Sequence, residues 1–511
     1  MRKALYSAAA VILTGSLVVS APADAKSKPK PVDTSKLTKA VTVNGQLKTL
    51  RQLQVIANRN GGNRASGLPG HEASVAYIAA QLKKSGYKVT KQTFTFPFSR
   101  DLEPATLTQL TPEERTIETQ AMDYSGSGDV TGAVTPINLV IPPGEAGSTP
   151  SGCEVGDFPD PGPDPAIALI QRGFCNFGVK AANAEAAGYD AAIIFNEGQE
   201  GRTELLTGTL GEPVGIPVVG TSYEDGVALA AAPSTARVTA KTEVDLNRKT
   251  TNVIADLPRK TKHQDQVVVV GAHLDSVAEG PGINDNGSGS ANILEIAKQY
   301  VKTGLVKKAQ RPVRFAFWAA EEKGLLGSYH YVETLSDAQR DKIYANLNFD
   351  MIGSPNYVRF VYDGDGSSDG NSGPAGSAEI EDVFTSYFAK RKLASAPTPF
   401  DGRSDYGPFI EVGIPAGGLF SGAEGIKTAE EATLFGGTAG AAYDACYHQA
   451  CDDITNLSTK AIKELGDAAA HSVGTLALSK TGLYGDAKRK AVSAKKLGAA
   501  KRDALGHAPT R

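Results

Sequence analysis

Between residues 250 and 420 the chain repeatedly drives an apolar run straight into a residue that can hold a cation or carry a proton. "QVVVVGAHLD" ends in His273 and Asp275, "VRFAFWAAEE" in Glu321 and Glu322, and "ANLNFDMIG" passes through Asp350. Runs apolar at consecutive positions fit strands buried on both faces, because successive side chains point to opposite sides of a sheet. The segments between them, such as "GSANILEIAKQYVKTG" and "GLLGSYHYVETL", space their apolar residues for one helix face. This alternation predicts an α/β fold, a mixed but mostly parallel sheet sandwiched by helices. In such sheets ligands sit beyond the carboxyl ends of the strands, where these polar residues stand.

The chain has 511 residues, enough for more than one domain. Arg2 and Lys3, the apolar run "ALYSAAAVILTGSLVVSA" and the small residues around Ala25 read as a signal peptide over residues 1–25. A Lys/Pro-rich linker is expected at 26–40, a helix at 47–60 and another in "SVAYIAAQLKKSG", after which "YKVTKQTFTF" alternates as a strand. From 103 to 240 the texture changes. A turn-rich stretch at 141–165 precedes the short strands "AIALIQRG", "AAIIFN" and "GIPVVGTS", with the helix "FGVKAANAEAAG" between the first two. This block reads as a β-rich module inserted between two parts of the main domain, 41–102 and 241–484. Residues 485–511 form a basic tail, expected to be solvated and flexible.

After the signal peptide no segment reaches the ~18 apolar residues that span a bilayer, so a secreted, extracellular protein without stable membrane insertion is expected. The net charge of −3 gives no reason to expect nucleic-acid binding. A monomer is expected. Export turns the four cysteines toward two disulfides, for which three pairings exist. Cys153–Cys175 and Cys446–Cys451 are preferred, since each closes a short loop.

His273 and Asp275, two apart on an extended segment, share a face, as a metal-bound imidazole and a carboxylate behind it often do. Asp285 follows in the Gly-rich loop "GINDNGSGSA" just before a helix. The adjacent acids Glu321 and Glu322 would repel and lose hydration at a strand end unless a cation compensates. A division of labour follows, with Glu322 on the metal and Glu321 free as general base. With Asp350 and His448 the inventory holds two imidazoles and three carboxylates, enough for two zinc ions if one carboxylate bridges. Nitrogen and oxygen donors fit zinc, with Mn or Co as substitutes, and exclude a thiolate site. Such a pair activates water and stabilises a developing oxyanion. Calcium stays open.

The stretches "GAHLDSV", "GINDNGSGSA", "AFWAAEEKGLLGS", "NFDMIGSPN", "GRSDYGPF", "GIPAGGLFSGAEG" and "CYHQACD", in this order, resemble the secreted di-zinc aminopeptidases of the bacterial aminopeptidase S and leucyl aminopeptidase type. The block at 103–240 resembles a protease-associated domain. The resemblance implies a phosphorylase/hydrolase-like fold and a metallo-exopeptidase acting on peptides with a free N-terminus. It assigns His273 and Asp350 to one zinc, Glu322 and His448 to the other, and Asp285 to the bridge. Glu321 falls at the general acid/base position and Tyr447 at that of a phenol hydrogen-bonding the tetrahedral intermediate. Arg403, with Asp350 and Glu321, falls where the α-amine is recognised, and Met351, Gly402 and Phe420 near a pocket for a large apolar first residue. Tyr406 stands where some relatives carry His, which points to an altered pocket rim.

Two other readings compete. A carboxypeptidase or amidohydrolase on the same scaffold needs a cationic clamp, for which Arg403 is the visible candidate. A metal-free binding protein would not need all five ligands and the base.

Overall fold

The computed structural model describes residues 32–483; the expected signal peptide (1–25) and basic tail (485–511) lie outside them. Four parallel strands form the heart of the sheet, in the order Val313–Trp318, Val267–His273, Ile343–Phe349, Ala416–Phe420. Phe360–Tyr362 and Ala396–Thr398 extend one side, and the antiparallel strand Ser234–Asp256 closes the other. The run of valines explains the layering. Val268, Val270 and Ala272 face the cluster that includes Leu50 and Leu53 of helix Val43–Arg59 and Ile293 of helix Gly287–Lys302. Val269 points the other way, to Trp318, Tyr331 and Phe409. The valine, leucine and isoleucine side chains among these are fully buried, a contribution of about 1.5–3 kcal/mol apiece.

The two domains share one continuous ribbon. Lys88–Thr111 pairs antiparallel with Ser234–Asp256 from Lys88↔Asp256 to Thr111↔Thr235, and the expected boundary falls at its Glu103↔Lys241 step. The ribbon then pairs with Gly128–Ile137 and continues into Ala166–Gln171, Ala191–Phe195 and Val218–Thr221. There Ala166, Ala168 and Ile170 face one apolar cluster while Ile167 and Leu169 face another, so the inserted module has its own core. Cys153 and Cys175 are bonded within it.

One expectation needs correcting. Residues 35–40, inside the segment read as a linker, form a helix against Thr459–Leu478. Leu37 and Val41, one turn apart, are buried there, and Thr34 Oγ1 lies 2.6 Å from His471 Nδ1. Two apolar residues at helical spacing outweigh the polar composition around them.

Candidate active site

The carboxyl ends of the parallel strands converge on a buried cluster. His273 is the last residue of its strand, Asp350 directly follows Phe349, and Glu321 and Glu322 stand three and four residues past Trp318. Asp285 sits one residue before Asn286, whose side chain caps helix Gly287–Lys302 by accepting from Gly289 N. His448 arrives from the far end of the chain, in the loop closed by the Cys446–Cys451 disulfide.

Asp285 divides its carboxylate. Its Oδ1 lies 3.2 Å from His273 Nε2, and its Oδ2 lies 3.2 Å from His448 Nε2. His273 Nε2 is also 3.2 Å from Asp350 Oδ1 and 3.8 Å from Glu321 Oε2. His448 Nε2 is 3.0 Å from Glu322 Oε2. Ligand atoms of His273, Asp285 and Glu322 lie within 4.8 Å of one another, as do those of His273, Glu321 and Asp350. The buried Glu322 Oε1 has no hydrogen-bond donor among the described residues. Two imidazole nitrogens each facing several carboxylate oxygens, with a buried carboxylate oxygen lacking a donor, are a donor set that suits zinc.

The electrostatics point the same way. Burial opposes a charged imidazole at His273, yet the carboxylates of Asp350 and Glu321 hold it well above its ordinary value. His448 is likewise raised to about 10 against burial, by Glu322 and Asp285. Glu321 is pushed well up by burial, with Asp350, Asp405 and Glu322 adding repulsion. Glu322 is raised by burial and Asp285. Such a concentration of carboxylates is relieved by cations. Burial and the same carboxylates keep the Tyr447 phenol protonated.

The backbone is bent to present these groups. Ala320 before Glu321, Met351 after Asp350, and His448 itself have positive φ of 51°, 47° and 56°. Left-handed non-glycine residues cost on the order of 1–3 kcal/mol and gather at functional sites. Gly282 (φ +60°) serves the same loop, because a Cβ there would meet the Asp285 carbonyl at 2.3 Å.

Sequence comparison agrees with this geometry. Residues 252–473 match the family model "Peptidase family M28", and residues 130–229 match the "PA domain". An aminopeptidase of Pseudomonas aeruginosa (strain UCBPP-PA14) is 47% identical over 453 residues, covering 87% of this chain and 82% of the relative. The chain belongs to peptidase family M28. Leucine aminopeptidase 2 of Trichophyton equinum is 41% identical over 425 residues, 82% of this chain and 81% of that one. Among solved structures, the aminopeptidase from Aneurinibacillus sp. strain AM-1 superposes with TM-score 0.66 at 26% identity, over 89% of this chain and 100% of that one. BSAP, a zinc aminopeptidase from Bacillus subtilis, does so with TM-score 0.59 at 28% identity, over 85% and 94%. The M28 chain is a metallopeptidase of the aminopeptidase class.

The remaining residues of this M28 peptidase fall as follows. Asp275 stands behind His273, but its backbone carbonyl, 3.2 Å from Nδ1, is nearer than its carboxylate at 3.7 Å. Arg403 pairs with Glu424 at 2.8 Å, and its Nη2 donates to the Tyr447 hydroxyl at 3.4 Å. Met351 is buried, Phe420 is half-buried and stacks on Phe360 at 6.0 Å, and Gly402 is exposed with φ +84°. Tyr406 does not line a rim. It is fully buried, and its hydroxyl donates to Asp401 and accepts from Gly402 N, so it supports that loop from below.

Several supporting residues were not read from the sequence. Ser404 Oγ donates to Asp350 Oδ2 at 2.5 Å and accepts from Asn348 Nδ2 at 2.7 Å. The fully buried Arg64 donates to the carbonyls of Leu274, Pro281 and Gly282, so the loop from His273 to Asp285 is folded around its guanidinium. Asp405, in "GRSDYGPF", is buried and pushed up to about 8. No apolar period or ligand spacing marks Arg64, whose carbonyl partners stand in a segment far along the chain.

Proposed function

We propose that this chain is a secreted aminopeptidase that holds two zinc ions and removes the first residue from peptides with a free N-terminus, preferring large apolar side chains. The observation that carries this reading is the division of the Asp285 carboxylate between His273 and His448. A carboxylate shared in this way joins two three-donor sets, His273–Asp350–Asp285 and His448–Glu322–Asp285, each leaving open positions. The likeness to BSAP, named a zinc aminopeptidase, supports zinc. Zinc bound here would polarise the scissile carbonyl and make water acidic enough to attack.

The chain's own residues do the rest. Glu321 accepts a proton from the attacking water and returns it to the leaving amine, a role that fits a carboxyl raised by burial. Tyr447, held protonated, donates to the oxygen that gains charge. The ammonium of the substrate is received among Asp350, Glu321 and the Arg403 segment, and Met351, Gly402 and Phe420 shape the pocket for its side chain. Because Arg403 already pairs with Glu424, it is a poor clamp for a terminal carboxylate, which disfavours a carboxypeptidase. Export is supported by the character of residues 1–25 and by the two disulfides. Among the described residues no helix is long and apolar enough to cross a membrane. The catalytic domain comprises 35–102 and 241–484, the helix at 35–40 included, and the protease-associated module at 103–240 forms a rim limiting substrate size. Calcium is not included: the acidic group Asp363, Asp365 and Glu381 is engaged by its own loop's N–H groups.

The test compares Leu-p-nitroanilide with its N-acetyl form, alongside zinc content per chain. Hydrolysis of the free amine alone, with two zinc ions per chain, is expected. Equal rates on both substrates would defeat the aminopeptidase reading.

A further inference from the structure

The disulfide Cys446–Cys451 joins residues five apart. A ring closed within its own loop fixes the loop's shape but not its place against the sheet. Two buried aspartates flanking the ring do hold it to the sheet side. Asp452 accepts from three successive backbone N–H groups: its carbonyl from Ile283 at 3.0 Å, its Oδ1 from Asn284 at 2.8 Å, and its Oδ2 from Asp285 at 2.9 Å. On the other flank, Asp444 Oδ2 accepts from Asn284 Nδ2 at 2.7 Å while its Oδ1 accepts from Cys446 N at 2.9 Å. Asn456 Nδ2 ties the two acids together, 2.8 Å from Asp444 Oδ1 and 3.4 Å from Asp452 Oδ1. Asp444 is 2% exposed and Asp452 1%.

We propose that Asp452, backed by Asp444, is a positioning residue that registers the His448 loop on the Asp285 carboxylate, and that this acid latch, rather than the disulfide, sets the spacing of the two ligands. The proposal rests on the reading that Asp285 and His448 share an ion. The chemistry requires an acid here. Both carboxylate oxygens receive backbone N–H groups, and an asparagine can present an acceptor to only one of them while turning an NH₂ against the other. Residues 284–285 and 444–452 are distant in sequence, so cross-links of this kind are needed to hold Asp285 Oδ2 at 3.2 Å from His448 Nε2. Partners that orient metal ligands in this way are worth about 10–100-fold in metal affinity.

The test uses the full-length protein, wild type against Asp452→Asn and Cys446→Ser/Cys451→Ser, followed by zinc release to a chelator, melting of the metal-free proteins, and kcat and KM. Asp452→Asn is expected to release one of two zinc ions about 10-fold faster or more, and to lose about 10-fold in kcat with KM changed less than about threefold. The double serine variant should release zinc within about threefold of wild type. Wild-type release from Asp452→Asn, even with a lowered melting temperature, would mean a merely structural role and overturn the latch. So would faster release from the double serine variant than from Asp452→Asn. If Asp452→Asn fails to fold, Asp444→Asn removes one side of the latch and should quicken release of one ion; unchanged release overturns the proposal. Wild-type protein that holds a single zinc would instead bring down the two-ion reading, and the latch with it.

Discussion

The His273 and His448 sides of the cluster are built by different means. His273 and Asp350 stand at the ends of adjacent parallel strands, and the His273 side chain is 1% exposed. Backbone hydrogen bonds of the sheet fix their spacing, and Ser404 and Asn348 lock the Asp350 carboxylate. Glu322 and His448 sit on loops, and the His448 side chain is 19% exposed. That side is assembled from a disulfide, two flanking aspartates and a left-handed residue. A ligand on a sheet inherits its position, whereas a ligand on a loop needs dedicated supports. The loop side should therefore lose its metal first.

Exchanging the two adjacent acids gives the largest expected effect. Glu321→Gln should lower kcat by about 10²–10⁴ while zinc content stays at the wild-type level. Glu322→Gln should lose zinc and activity together, the loss falling on the His448 side. Metal analysis beside steady-state rates distinguishes them, and a Glu321→Gln protein lacking zinc would reverse the assignment.

Cleaving the ring probes the loop side alone. Cys446→Ser/Cys451→Ser should cost about 2 kcal/mol of stability by the loop-entropy argument, read as a lower melting temperature. The same change should leave the release of both ions within about threefold of wild type.

Rising pH should weaken both sides of the metal-free protein. Asp405, which burial and the carboxylates of Asp350 and Asp275 raise to about 8, keeps in the fold a proton that the unfolded chain loses near ~3.9. Stability then falls as pH rises from about 4 to about 8, by at most about 1.4 kcal/mol per pH unit for one group. His448, raised to about 10, contributes stability present below about 6.5 and lost as pH climbs to about 10. Both signs agree. Melting temperature of metal-free protein should fall steadily from pH 6 to pH 9, and zinc should flatten the slope. A rise with pH would contradict the charge arrangement.

The smallest effect belongs to the tie between the Glu322 loop and the inserted module. Lys323 pairs with Asp123 at 3.5 Å, both partly exposed. Lys323→Ala should change stability by less than about 0.5 kcal/mol, measured by denaturant unfolding. A larger loss would show that the module helps to hold the loop side.

Much of this was legible before any coordinates. "QVVVVGAHLD", "VRFAFWAAEE" and "ANLNFDMIG" announce buried strands by apolar continuity, and their polar ends announce the cluster, because a parallel sheet aligns its carboxyl ends. Helix limits shifted by a few residues, as at Val43–Arg59 against 47–60, since caps rather than periodicity end a helix. The supports were hidden. Arg64, Ser404, Asp444 and Asp452 act through hydrogen bonds to residues remote in sequence, and no periodicity encodes such a partner.

The sequence by itself determined the strands and the inventory of candidate ligands and favoured the two cysteine pairs, because each depends on local apolar pattern, residue chemistry or short loop closure. Only the tertiary structure decided that one oxygen of Asp285 faces His273 and the other His448, that Tyr406 lies beneath the loop it supports, and that Asp452 grips the backbone of Asp285. Those facts are distances between chain segments, and a distance of that kind is fixed by packing and directional hydrogen bonds rather than by the identity of either residue.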